Sequence, residues 1–81
     1  MSDAAERAVE VRRILALALR IPADKYRRLD RETVPEWDSL KHIEIVFALE
    51  DRFGVEFSDA EIPALVSDEA IVRALAARHV P

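Results

Sequence analysis

The chain has 81 residues with a net charge of −4, is 51% hydrophobic and 35% charged, and contains no cysteine. That length allows one small core and leaves no room for a walled enzyme domain, and the hydrophobic share excludes a disordered chain. Without cysteine, disulfides and thiolate metal sites are excluded, and any thiol the protein uses has to be added to it.

Charge is unevenly placed. Residues 1–31 hold eight Lys/Arg against five Asp/Glu, and residues 32–81 hold four against eleven. An acidic second half is a solvated surface in the plain reading and a dock for basic partners in the sharper one. The opening run Met-Ser-Asp-Ala-Ala-Glu lacks an apolar stretch, so no signal peptide is expected, and no segment is apolar enough to span a bilayer. The expectation is a cytoplasmic monomer with no membrane partner, folded as a single domain over residues 1–81.

The first helix is expected from about Ala4 to Leu19. Asp3 and Glu6 make a capping-box pattern, and Ala8, Val11, Ile14, Leu15, Ala18 and Leu19 share one face. Glu10, Arg13 and Arg20 fall opposite, and Pro22 ends the helix. Residues 20–37 then form a long connection without periodicity, of the kind that is often functional. Ile21, Leu29, Val34 and Trp37 are expected to pin it to the body, with Tyr26 beside them.

A second helix is expected from about Ser39 to Phe53, capped by Asp38 or Ser39 and stopped at Gly54 by a left-handed residue. Val55, Glu56 and Phe57 are extended. Ser58 and Glu61 form another capping-box pattern before a short third helix, about Asp59 to Leu65, which Pro63 should shorten or distort. Ser67 caps a fourth helix, about Asp68 to Arg78, whose inner face is Ile71, Val72 and Leu75. The single Gly speaks against an all-β fold. The fold class is an all-α, small four-helix bundle, with three main helices, a short third one and a long loop between the first two.

The second helix has two apolar faces. With Ser39 at zero and about 100° per residue, Ile45, Leu49, Phe53 and Val46 cluster between roughly 240° and 340°, a normal core stripe. Leu40, Ile43 and Phe47 cluster between roughly 40° and 100°, flanked by Glu44, Glu50 and Asp51. A small bundle needs one stripe per helix. The second stripe either packs on the crossover, for which Ile43 is the strongest candidate, or forms an exposed apolar strip ringed by acids that suits a basic partner.

Asp38-Ser39-Leu40 resembles the Asp-Ser-Leu attachment motif of the acyl carrier protein family. The motif is short, but it opens a helix after a long loop. The run from Glu44 to Val55 resembles the family's second helix and its Gly stop, and Ser58-Asp59-Ala60-Glu61-Ile62 resembles the start of its short third helix. The resemblance covers nearly the whole chain, most firmly residues 34–75. It implies 4′-phosphopantetheine, derived from coenzyme A, on Ser39, with acyl groups carried on the thiol of that arm. It implies Asp38 and Leu40 at the attachment site, with Asp38 sharing in Mg²⁺ binding in the complex with the modifying enzyme; separately, no His, Asp or Glu set has metal-ligand spacing, so no metal of the chain's own is expected. It implies partner docking through Leu40, Ile43, Glu44, Phe47, Glu50 and Asp51. The implied partners are a phosphopantetheinyl transferase, an acyl- or aminoacyl-activating ligase or acyltransferase, and downstream acyl-processing enzymes. Pro35-Glu36-Trp37 replaces the common Leu-Gly-x before the motif, and Lys41 stands where many members carry an acid. These departures point to a discrete carrier of a specialised pathway.

Other chemistries fit less well. A serine at a helix start is ordinarily a cap, and the alternative function is an unmodified helical interaction module. A hydrolase pairing Ser39 with His42 lacks a nucleophile elbow and an oxyanion hole; His42 is expected to pack in the first turn of its helix and His79 to be solvated. Arg12, Arg13, Arg27 and Arg28 lack interleaved aromatics in an acidic chain, so nucleic acid is not an expected partner. The chain is not expected to be an enzyme.

Overall fold

The structure is a computed structural model that describes residues 3–78, Asp3 by its backbone alone. It has three α-helices, α1 (Asp3–Leu19), α2 (Ser39–Phe53) and α3 (Asp68–Ala77), with a 3-10 turn at Ile62–Ala64 before the last. The expected all-helical bundle is the fold, and its short third member is reduced to that turn. Pro63 lies at the start of the turn, where its missing N–H is tolerated but its ring blocks growth of an α-helix toward the N-terminal side. The Ser58–Glu61 box forms reciprocally: Glu61 N–H donates to Ser58 Oγ at 3.2 Å and Ser58 N–H donates to Glu61 Oε1 at 2.9 Å. The Asp3 side chain, expected to pair with Glu6, and His79 lie outside the described residues.

α1 packs on both α2 and α3. Its Val11, Ile14, Leu15 and Leu19 meet Ile45, Val46 and Leu49 of α2 and Ile71 and Leu75 of α3 in one core. Each fully buried leucine or isoleucine contributes about 1.5–3 kcal/mol. Ala8, expected on the inner face, is instead exposed and lines an open depression with Asp68, Val72 and Arg73; Ala16 is the buried alanine. Phe53 and Val72 are half-buried at the edge of the core.

Helix ends follow backbone geometry. At the end of α1, Arg20 adopts the left-handed region with φ 58°. Ile21 N–H reaches back to Ala16 O at 3.1 Å and Arg20 N–H to Leu17 O at 3.3 Å, the paired bonds that close a helix on a left-handed residue. Pro22 follows this stop and is not itself the terminator. Gly54, with φ 64°, closes α2 in the same region. Glycine holds that conformation freely and arginine does not, so Arg20→Gly should raise stability by about 0.5–1 kcal/mol, seen as a higher urea midpoint. A lower midpoint would mean that the arginine side chain outweighs its backbone strain.

The crossover between α1 and α2 is tied down along its length. Leu29, Val34 and Trp37 are buried in the core, and Ile21 and Tyr26 pack against it. Arg12, on α1, donates from Nε to Ala23 O at 3.1 Å, donates to the carbonyl of Tyr26, and pairs with Asp68 at 3.4 Å. That arginine, given no structural role by the sequence, is a strut holding the crossover to α1 and α3.

Candidate functional site

α2 begins where it does because of Asp38. Its backbone is extended, and its carboxylate Oδ1 accepts the Lys41 N–H at 2.9 Å while its carbonyl accepts the His42 N–H at 2.9 Å. Of the two capping candidates, Asp38 is the cap and Ser39 is the first helical residue. The Ser39 hydroxyl is therefore spared from capping, and the residue is exposed. Its Oγ accepts a hydrogen bond from Arg31 Nη2 at 3.1 Å. The N–H groups of Ser39 and Leu40 remain at the positive end of the helix dipole, where an anion is favoured.

Trp37 anchors the approach to this helix start. It is 3% exposed, and its indole Nε1–H donates to His42 Nδ1 at 3.1 Å with the rings stacked at 27°. Indole nitrogen can only donate, so Nδ1 is the acceptor and His42 carries its proton on Nε2. That Nε2–H donates to Ile62 O at 2.8 Å. One buried chain of hydrogen bonds thus joins the crossover, α2 and the 3-10 turn. Both ring nitrogens are occupied, so His42 does not form the Ser39–His42 pair a hydrolase would need.

Glu36 steadies the same segment. It accepts from Lys25 Nζ at 2.6 Å and from the Tyr26 hydroxyl at 2.8 Å. Chiefly the Lys25 bond, then the Tyr26 bond, pulls its carboxyl down to about 2. Arg78, then the Ser58 N–H, likewise pulls Glu61 down to about 2, from an ordinary 4.5. A carboxyl with a depressed folded value stabilises the fold above its unfolded value and loses that contribution as the pH falls toward 2. The thermal midpoint should therefore fall between about pH 4.5 and 2, and combining Glu36→Gln with Glu61→Gln should flatten that fall. An unchanged acid profile in the double variant would show that other groups govern it.

The outer face of α2 carries the second apolar stripe. Leu40 is 64% exposed, Ile43 50% and Phe47 65%, so the stripe faces solvent and does not pack on the crossover. Glu44 and Asp51 are exposed beside it, with Glu44 pairing to Lys41 at 3.2 Å. Glu50 is half-buried and turns its Oε2 to the Phe57 N–H at 2.8 Å, holding the segment after α2.

The sequence did not single out Arg31 or the Lys25–Tyr26–Glu36 cluster. Both lie in the aperiodic crossover, where spacing carries no signal. The Trp37–His42 bond had a weak one: a donor-only side chain just before a cap and a histidine near the core stripe in the first turn. Among the described residues no group of three or more His, Asp or Glu side chains is placed to hold a metal ion, and no helix is long and apolar enough to cross a membrane.

No family model matches the chain. A protein of Campylobacter hominis, described as an acyl carrier protein, is 34% identical to it over 65 residues, covering 78% of this chain and 81% of that protein.

Proposed function

The chain belongs to the acyl carrier protein family, and from that premise we propose that it is a non-catalytic carrier bearing 4′-phosphopantetheine on Ser39. The observation that carries the reading is the exposed Ser39 hydroxyl, left free of capping duty by Asp38 at the start of α2. The donor set suits a phosphodiester: a serine oxygen to esterify, unpaired helical N–H groups and the positive end of a helix. In the attachment step Ser39 Oγ attacks the coenzyme A phosphorus that bears pantetheine. The P–O bond to the departing 3′,5′-ADP breaks, and the transferase takes up the serine proton. Asp38 keeps its other carboxylate oxygen out of the cap, available to share Mg²⁺ with that enzyme. When bound, the arm supplies the thiol that this cysteine-free chain lacks, on which an acyl group rides as a thioester.

On this reading the chain is a discrete, cytoplasmic, monomeric single-domain carrier. A ligase or acyltransferase loads it with an acyl or aminoacyl group for fatty acid, polyketide or other specialised synthesis, and downstream enzymes read the outer face of α2. The test is intact mass after incubation with coenzyme A and a broad-specificity transferase. The carrier gains the mass of one arm; an unmodified interaction module stays folded and gains nothing.

The docking face comprises Leu40, Ile43, Glu44, Phe47 and Asp51, with Glu50 at its edge fastened to Phe57. Reversing charge at Glu44→Lys and Asp51→Lys leaves the core untouched and should lower kcat/KM for loading by tenfold or more at low salt, on the order expected for electrostatic steering. The defect should shrink as salt rises. Unchanged loading at low salt, with the fold intact, would place docking elsewhere.

A further inference from the structure

We propose that Arg31 is the positioning residue for the phosphodiester on Ser39, holding the phosphate so that the arm leaves α2 on the crossover side. This rests on attachment at Ser39. Arg31 Nη2 lies 3.1 Å from Ser39 Oγ, and the Arg31 guanidinium makes no ion pair among the described residues. The basic heads of Arg12, Lys25, Arg28, Lys41, Arg52 and Arg78 all do; Arg13, Arg20, Arg27 and Arg73 also make none among the described residues, and of these unpaired cations it is Arg31 that reaches Ser39. Its sequence neighbour Asp30 is not paired with it, and Asp30 Oδ1 accepts the Glu32 N–H at 2.9 Å.

The base of this side chain is fixed. Arg31 N–H donates to Val66 O at 2.8 Å, Asp68 N–H donates to Leu29 O at 2.9 Å, and Asp30 and Ser67 form an antiparallel bridge. The crossover is thereby stitched to the start of α3 directly beneath Arg31. A neutral hydroxyl has no need of a dedicated cation. Esterification replaces the hydroxyl proton with a phosphorus whose two non-bridging oxygens, sharing one negative charge, come within reach of the same guanidinium, and a planar fork suits them better than a point charge. Phosphate held there directs the arm over the open depression lined by Asp30, Arg31, Glu32 and Val66. The strip of Leu40, Ile43 and Phe47 then stays clear for a partner while the arm is attached.

The experiment uses the full chain modified with coenzyme A and a transferase, read by phosphorus NMR and by proton contacts from the geminal methyl groups of the arm. Wild type is compared with Arg31→Gln, Arg31→Lys and the control Arg28→Gln, whose residue pairs with Glu69. Arg31→Gln should displace the phosphorus resonance and abolish methyl contacts to Val66. Arg31→Lys should restore part of the shift, and Arg28→Gln should match wild type. In wild type alone, the Arg31 guanidinium resonances should move on attachment, a readout independent of any variant's fold. Coincident phosphorus resonances for wild type and Arg31→Gln, or methyl contacts to Leu40 and Phe47, would overturn the proposal. A mass gain with an unmoved phosphorus overturns this role alone, whereas no mass gain overturns attachment and this role together.

Discussion

Ser39→Ala should abolish attachment of the arm completely and leave the fold unchanged. Both halves of that result follow from one residue of register. Were Ser39 the cap of α2, alanine would cost about 1 kcal/mol and a loss of modification could be blamed on a frayed helix start. Asp38 is the cap, bonded to Lys41 N–H at 2.9 Å. Ser39 is exposed, and its hydroxyl is held by Arg31 alone among the described residues. An exposed substitution of this kind stays within about 0.5 kcal/mol, and alanine favours the helix. Circular dichroism and the thermal midpoint should match wild type while the mass gain falls to nothing. A gain that survives the substitution would mean that another residue carries the arm. Asp38→Ala is the informative contrast, since it should lower stability by about 1 kcal/mol through loss of the cap.

Trp37→Ala should leave the chain largely unfolded or only marginally folded at 25 °C. Truncating a buried tryptophan costs about 3–5 kcal/mol. It also strands His42 Nδ1, which accepts the Trp37 bond at 3.1 Å inside the core, at a further cost of about 1–3 kcal/mol. A chain of this length has a total stability of roughly 4–12 kcal/mol on per-residue averages, so one substitution removes most of it. Trp37→Phe keeps the apolar ring and loses only the donor, so its penalty should be about 1–3 kcal/mol. Trp37 is the only tryptophan, so unfolding in urea has to be followed by far-ultraviolet circular dichroism. A near-wild-type midpoint for Trp37→Ala would show that the crossover does not depend on this anchor. Nitrogen shifts of His42 should report the Nε2–H form in wild type.

The local rules that were legible in the sequence are those that operate within a few residues. The bounds of α2, the left-handed stop at Gly54, the Ser58–Glu61 box and the Ser67 cap follow from near-neighbour chemistry, and the structure has each of them. The buried set Ile45, Val46 and Leu49 and the exposed set Leu40, Ile43 and Phe47 follow from the helical period, which separates the two faces. The choice between Asp38 and Ser39 as cap was open because both residue types cap well and the sites differ by one position.

What spacing could not show depends on distant partners. Glu10 meets Arg52 and Arg12 meets Asp68 across the bundle. Glu50, expected on the docking face, also turns its Oε2 to the Phe57 N–H, because the chain turns at Gly54 and brings that donor back. Arg31 reaches Ser39 only because the crossover is stitched to Val66. The long-range placement of the crossover thus sets which polar residues near Ser39 serve the fold and which face the site.

The most direct test of the central claim is fragmentation mass spectrometry of the Ser39-containing peptide, from protein isolated from its own host without added transferase. A carrier gives that peptide with phosphopantetheine on Ser39 and releases the pantetheine fragment on activation, alone or with an acyl group attached. A Ser39 peptide found only in its unmodified form, from cells whose other carriers are modified, would contradict the account.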